Sequence, residues 1–428
     1  MKLGKCMVVT FFSLIATLTC IAQSKSPTEP APSQTGHRQL PTLVPRIFQQ
    51  QPGTTDTEQS DSPYFKGKAR FVTLRRDMTE NVAGSRKATG AVAKRSMSQE
   101  GDEEGKKNMP FWQGSFNFLG ADFPFRMVGT NPAKGSVATR VPVAVVPLDL
   151  TFGDGTELSA SQTACGDTQS PVARILQSPL FQSSSIAVGG TFIGRTQYID
   201  AFQRANFWSD VSTTSPDYHV LLNATAASTQ SFTLPVTQPR QFPVDSTVAG
   251  PCARIGFEDM GDLDARVQNV INAQNIPGDV LPIFVMYNTF ATQNGGCCVL
   301  GYHSVTFDTK RHPYVVTSYS DPNLFNKPIE DIHALSHELG EWMDDPFVRS
   351  LVPSWGNVGQ DTGSCSLSLE VGDPVTGIAT TITMNGFTYH PEDLVFLPWF
   401  SRQTPSTSVN GQFTLLNSFS APPKICGQ

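Results

Sequence analysis

The sequence predicts an α+β fold, a mixed sheet with helices packed on it, behind a disordered N-terminal segment. Three observations carry that reading. Between residues 141 and 345, apolar runs rich in branched and aromatic side chains, bounded by Pro and Gly, alternate with amphipathic stretches. Residues 23–108 are rich in Ser, Thr, Gln, Pro, Lys and Glu, with few aromatics and no cysteine. Such a segment cannot bury enough apolar surface to offset its ordering entropy. Folded character then begins near Phe111, in "FWQGSFNFLGADFPF".

The chain start reads as a secretory signal over residues 1–22. Lys2 and Lys5 form the positive end, "MVVTFFSLIATLTCIA" the apolar core, and Cys20-Ile21-Ala22 a small-residue cleavage site. The apolar run is short for a membrane span of about 20 residues, so export and release is preferred to an N-terminal anchor. Residues 23–108 follow as a linker or pro-segment, and 109–428 as the folded domain. Secreted, extracellular or periplasmic placement follows, with no membrane attachment after cleavage. A net charge of −6 and only 16% charged residues argue against nucleic acid as a partner.

Within the domain, "VPVAVVPLDLTF" and "LPIFVMYNTF" predict buried strands. "SPVARILQSPLF" and "TQYIDAFQRANFWSDV" predict short helices. "MGDLDARVQNVINAQN" predicts a longer one, with Leu263, Val267, Val270 and Ile271 on one stripe. After Pro346 the chain turns irregular and ends in short strands such as "TITMNGFTYH" and "GQFTLLNSF". Asn223-Ala224-Thr225 is a glycosylation sequon.

Removing Cys6 and Cys20 with the signal leaves Cys165, Cys252, Cys297, Cys298, Cys365 and Cys426. An even count in an exported chain favours disulfides, and adjacent Cys297 and Cys298 are expected to take different partners. No CxxC pair exists to build a thiolate metal knot.

The chemistry gathers in "DIHALSHELGEWMDDP", residues 331–346. A helix is expected to be capped by Asn326 or Lys327, with Pro328 in the first turn, and to stop at Pro346. Ile329, Ile332, Leu335, Leu339, Trp342 and Met343 share a face that should be buried. His333, His337 and Glu341 share a second stripe, with Glu338 one step round. Residues four apart face one neighbour, so His337 and Glu341 can hold one ion. His333 lies about 12 Å of helix rise from Glu341, which makes it a reserve ligand or a donor to a ligand. "SLEVGDP" offers Glu370 and Asp373 as further ligands, and His390 and His303 are candidates to face the ion or the substrate. Asp344 and Asp345 are expected to tie the helix end to the following loop, with Asp345 also a candidate to hold a ligand in place.

This helix resembles that of zinc-dependent metalloproteases, whose signature is H-E-x-x-H. Here the run is His337-Glu338-Leu339-Gly340-Glu341, with Glu in place of the second metal-binding His. The resemblance implies a zincin-like domain that binds Zn²⁺ or another divalent metal, with Gly340 letting another segment approach the ion. It implies peptide-bond hydrolysis by metal-bound water, with Glu338 as general base and a protein or peptide as substrate. HEL-x-E, Asp345-Pro346 and the later Glu370-Val371-Gly372-Asp373 are also similar to a pattern in secreted bacterial proteins. More faintly, they are similar to plant phosphate-induced or EXORDIUM-like proteins, over roughly residues 280–428. That similarity implies Glu370 as a site residue. Tyr389 is the candidate oxyanion donor. A His-Glu-Glu ligand set makes the ion a weaker Lewis acid, and His390 in place of Glu370 would restore two imidazoles. The rival reading is a non-catalytic domain associated with cell wall or carbohydrate, its metal site structural or vestigial, with "FLPWF" offering aromatics for sugar. A serine hydrolase is disfavoured by the lack of G-x-S-x-G.

Overall fold

The computed structural model describes residues 70–71, 109–237, 241–245, 252, 254–293, 296–306, 311–325, 327–360 and 364–427. The expected signal over 1–22 lies outside them. So does the expected linker over 23–108, except that Arg70–Phe71 forms a two-residue strand, β1.

The domain opens with a hairpin of β2 (Phe111–Phe118) and β3 (Ala121–Val128), turned at Leu119-Gly120 where both residues have positive φ. The long β4 (Ala138–Phe152) follows, then β5 (Glu157–Ser159) and α1 (Pro171–Leu176). Ser170 caps α1 at Ala173 N, with Pro171 in its first turn, where a missing N–H costs nothing. Next come β6 (Ser184–Val188), β7 (Thr191–Thr196), α2 (Tyr198–Asn206) and α3 (Trp208–Val211). β8 (His219–Ala226) and β9 (Gln230–Leu234) both run parallel to β4, with Asn223 exposed on β8. Beyond them lie β10 (Phe242–Asp245) and β11 (Arg254–Asp259), then α4 (Met260–Ala273), capped by Asp259 and burying the expected stripe.

The remaining strands assemble the centre of the sheet. "LPIFVMYNTF" is two strands, β12 (Leu281–Tyr287) and β13 (Thr289–Gln293), because Asn288 adopts positive φ and turns the chain between them. β14 (Gly296–Val305) and β15 (Pro313–Tyr319) follow. The order β10-β11-β13-β14-β15-β12-β4-β5 mixes parallel and antiparallel neighbours. β12 and β15 are parallel and buried along their whole length, as apolar runs covered on both faces should be. β1 adds a parallel partner beside Val299 and Gly301 of β14.

Helix α5 (His333–Asp344) lies against β14 and β15, and every one of its residues is buried. It has no solvated face. It also starts later than the sequence suggests. Asp331 takes positive φ, its Oδ1 accepts from Ile332 N and His390 N, and Ile332 occupies the cap position with no side-chain bond. The expected cap Asn326 lies outside the described residues. Lys327 instead sends its Nζ to the carbonyls of Gly359 and Thr376. At the other end, Asp345 accepts from Arg349 N and Ser350 N, tying the helix to the following loop as expected, whereas Asp344 turns instead to Gln203 and Asn206 of α2.

After α5 come β16 (Leu351–Gly356), β17 (Cys365–Ser368), β18 (Ile382–Met384), β19 (Phe387–Tyr389) and α6 (Leu397–Ser401). "TITMNGFTYH" is the β18–β19 hairpin, turned at Asn385-Gly386, where both residues have positive φ. "GQFTLLNSF" forms no strand; its one ladder contact is the isolated bridge of Thr414 to Val395. Phe396, Trp399 and Phe400 are buried, so "FLPWF" is core and offers no surface to a sugar.

Three cysteine pairs stand at disulfide distance, Cys165–Cys252, Cys297–Cys298 and Cys365–Cys426. The adjacent cysteines therefore pair with each other, contrary to expectation. A cis peptide joins the two, and their Cα atoms stand 3.0 Å apart. No helix among the described residues is long and apolar enough to cross a membrane.

Candidate metal centre

Three segments converge on the middle of α5. His337 and Glu341, one turn apart, bring Nε2 and Oε1 to 3.0 Å. From the sheet, His303 on β14 points its Nδ1 at Glu338 Oε2 (3.3 Å) and Glu341 Oε2 (3.4 Å). From the loop after β17 come Glu370 and Asp373, the latter with Oδ1 3.6 Å from His337 Nε2. Two sets offer donor atoms within 4.8 Å of one another, His303 with Glu341 and Glu370, and His337 with Glu338 and Glu341.

The backbone makes room for this crowding. A Cβ on Gly301 of β14 would stand 2.8 Å from Glu338 Cγ, and one on Gly372 would overlap the His337 ring. Gly372 N also donates to Glu341 Oε1 at 3.3 Å. Gly340 is needed for a close approach too, but the group that fills its space is the Leu394 side chain, at 2.7 Å.

His337 is oriented from behind. Its Nδ1 lies 2.6 Å from Glu392 Oε2, a carboxylate that also accepts from Gly377 N and lies 3.2 Å from His333 Nε2. His333 thus meets Glu392, one step back from the cluster. His390 is drawn elsewhere, to Asp331 (2.6 Å) and Glu330 (3.1 Å), and belongs to neither donor set. Tyr389 donates its hydroxyl to the Arg174 carbonyl, away from the cluster.

The electrostatics are those of buried carboxylates in search of positive charge. Burial works against charged imidazole, yet the Glu338 and Glu341 carboxylates outweigh it and hold His303 well above its ordinary pKa. Glu341 and Glu392 do the same for His337. Burial would raise Glu341, but His337 and His303 hold it below the usual carboxylate range. Glu338 is pushed up to about 7 by burial, and Asp373 to about 7 by burial and the Glu341 charge. Protons on the imidazoles and a bound dication are two alternative ways to compensate those carboxylates.

The donor set fits a divalent metal. Imidazole and carboxylate are the ligands Zn²⁺ takes apart from thiolate. Two atoms of the cluster, His303 Nε2 and Glu338 Oε1, are buried with no hydrogen-bond partner, an expensive state in a dry interior. The same donors would serve other divalent ions, so the chemistry sets the charge of the guest rather than its element.

Sequence reasoning found His337, Glu338, Glu341 and the Glu370/Asp373 pair as one neighbourhood. It placed His303 among lesser candidates, because a strand histidine beside two cysteines carries no spacing signal. Glu392 went unnoticed, though "HPED" sets it two residues after His390. No family model, no curated protein and no solved structure matches the chain.

Proposed function

We propose that this chain is an exported metal-dependent hydrolase that cleaves peptide bonds. The single observation that carries the reading is the placement of Glu338. It belongs to the same donor set as His337 and Glu341, yet its Oε1 is left without a hydrogen-bond partner inside the cluster. A buried carboxylate beside a metal-binding pair is what general-base activation of water requires.

His337 and Glu341 would hold the ion, with Glu370, His303 and Asp373 as further donors. A zinc ion held there would supply an electrophile for the carbonyl and lower the pKa of a water. Glu338 accepts the proton of the attacking water and returns it to the leaving amine. Glu392 keeps the His337 ring turned so that Nε2 faces Glu341. The three cysteine pairs suit an oxidising compartment, in line with the expected signal.

The test is casein cleavage by purified protein with and without chelator, beside Glu338→Gln. The variant should keep its bound metal and lose at least a hundredfold in rate. Undiminished cleavage by the variant removes Glu338 from its role.

One observation favours a second reading, a structural metal in a non-catalytic domain. The cluster is closed, with His303, His337 and Glu338 fully buried and Glu341 3% exposed. In that case chelation lowers the unfolding temperature and no hydrolysis is found with or without metal.

A further inference from the structure

The cluster around Glu341 holds more donors than one tetrahedral ion uses, and they fall on two sides of one carboxylate. Glu341 Oε1 lies 3.0 Å from His337 Nε2, while Glu341 Oε2 lies 3.4 Å from His303 Nδ1. The two oxygens therefore face different imidazoles, one on the helix and one on the sheet. Each side has its own further carboxylates. Glu370 belongs to the set with His303, Asp373 stands 3.6 Å from His337 Nε2, and Glu338 reaches both sides, grouped with His337 and with its Oε2 3.3 Å from His303 Nδ1.

The spacing suits two ions. Ligand atoms about 2.1 Å from a tetrahedral ion stand about 3.4 Å from one another, close to the three separations here. A carboxylate that gives one oxygen to each of two ions fits the roughly 3.5–4 Å between cations in two-metal hydrolytic sites. Charge points the same way. Glu338, Glu341, Glu370 and Asp373 bring four negative charges when ionised, and all four side chains are buried. Two dications balance them with both imidazoles neutral, whereas with one the balance needs two protons kept on the carboxylates or imidazoles.

We infer that the chain binds two divalent cations bridged by Glu341, one on the His337 side and one on the His303 side. The inference rests on the metal reading above and adds to it the second ion and the bridging role.

The test counts ions. The full-length chain is stripped with chelator, reloaded with Zn²⁺ and, separately, Mn²⁺, freed of excess metal and analysed by native mass spectrometry. Wild type should carry two ions, and His303→Ala and His337→Ala one each. With Mn²⁺, the wild type should give an exchange-coupled electron paramagnetic resonance signal that either variant loses. Glu370→Gln, which keeps side-chain size, should also carry one ion and serves as the test if His303→Ala does not fold. A single ion in wild type, retained in His303→Ala or Glu370→Gln, overturns the second site and leaves the metal reading standing. No ion in wild type overturns both.

Discussion

Gly372 lies so close against the His337 ring that no Cβ could stand between them. The loop that delivers Glu370 and Asp373 to the cluster is thereby seated directly on an imidazole carried by the helix. Backbone and imidazole share a space that only glycine leaves open.

Gly372→Ala must push that ring or that loop aside. Overpacking of this kind costs about 1–3 kcal/mol, read as a lowered unfolding midpoint. Because the displaced groups are His337 and the Glu370–Asp373 loop, metal affinity should fall at least tenfold, measured by competition with a chromogenic chelator. Unchanged affinity would show that the loop carries no ligand.

Glu392 is the second lever. Its Oε2 accepts from His337 Nδ1 at 2.6 Å, and its other oxygen meets Gly377 N. Loss of a carboxylate behind a metal-binding histidine typically lowers affinity or activity by about 10–100-fold. Glu392→Ala should show that loss, and Glu392→Gln, which keeps an acceptor, a smaller one. Equal metal affinity in Glu392→Ala and wild type would reduce this contact to packing.

Away from the cluster, Glu258 on β11 gives a pH signature of its own. It is buried, with Arg266 Nε at 3.0 Å, and burial pushes its carboxyl from the usual 4.5 up to about 7. Between those values the folded chain keeps a proton that the unfolded chain has lost. Stability from this group is therefore full below about pH 4.5 and falls as pH rises toward 7. The fall is at most about 3 kcal/mol. Denaturant titrations at pH 5 and pH 8 should show it in wild type and a smaller difference in Glu258→Gln. Equal slopes in the two proteins would exclude Glu258 as the source.

Local patterns were legible where local forces dominate. The apolar runs of β4 and β12 and the stripe of α4 depend on residues within a turn or two of one another. Reading failed where a distant partner decides. α5 begins at His333 rather than near Pro328, because Asp331 is held in a tight turn by Ser320 and His390. "FLPWF" looks fit for a surface and is core, with Trp399 and Phe400 packed on Trp355. Cys297 closes on its neighbour rather than on a distant cysteine, a choice that residue type does not record.

For the site, the sequence by itself determined that His337, Glu338 and Glu341 share one helical turn, since a rise of about 1.5 Å per residue fixes what stands four positions away. Only the tertiary structure decided which groups meet them. His303 comes from a strand 35 positions before Glu338, and Glu392 from a loop 55 positions after His337. Pairings across such lengths are set by how sheet, helix and loop pack together, through contacts that sequence spacing does not encode.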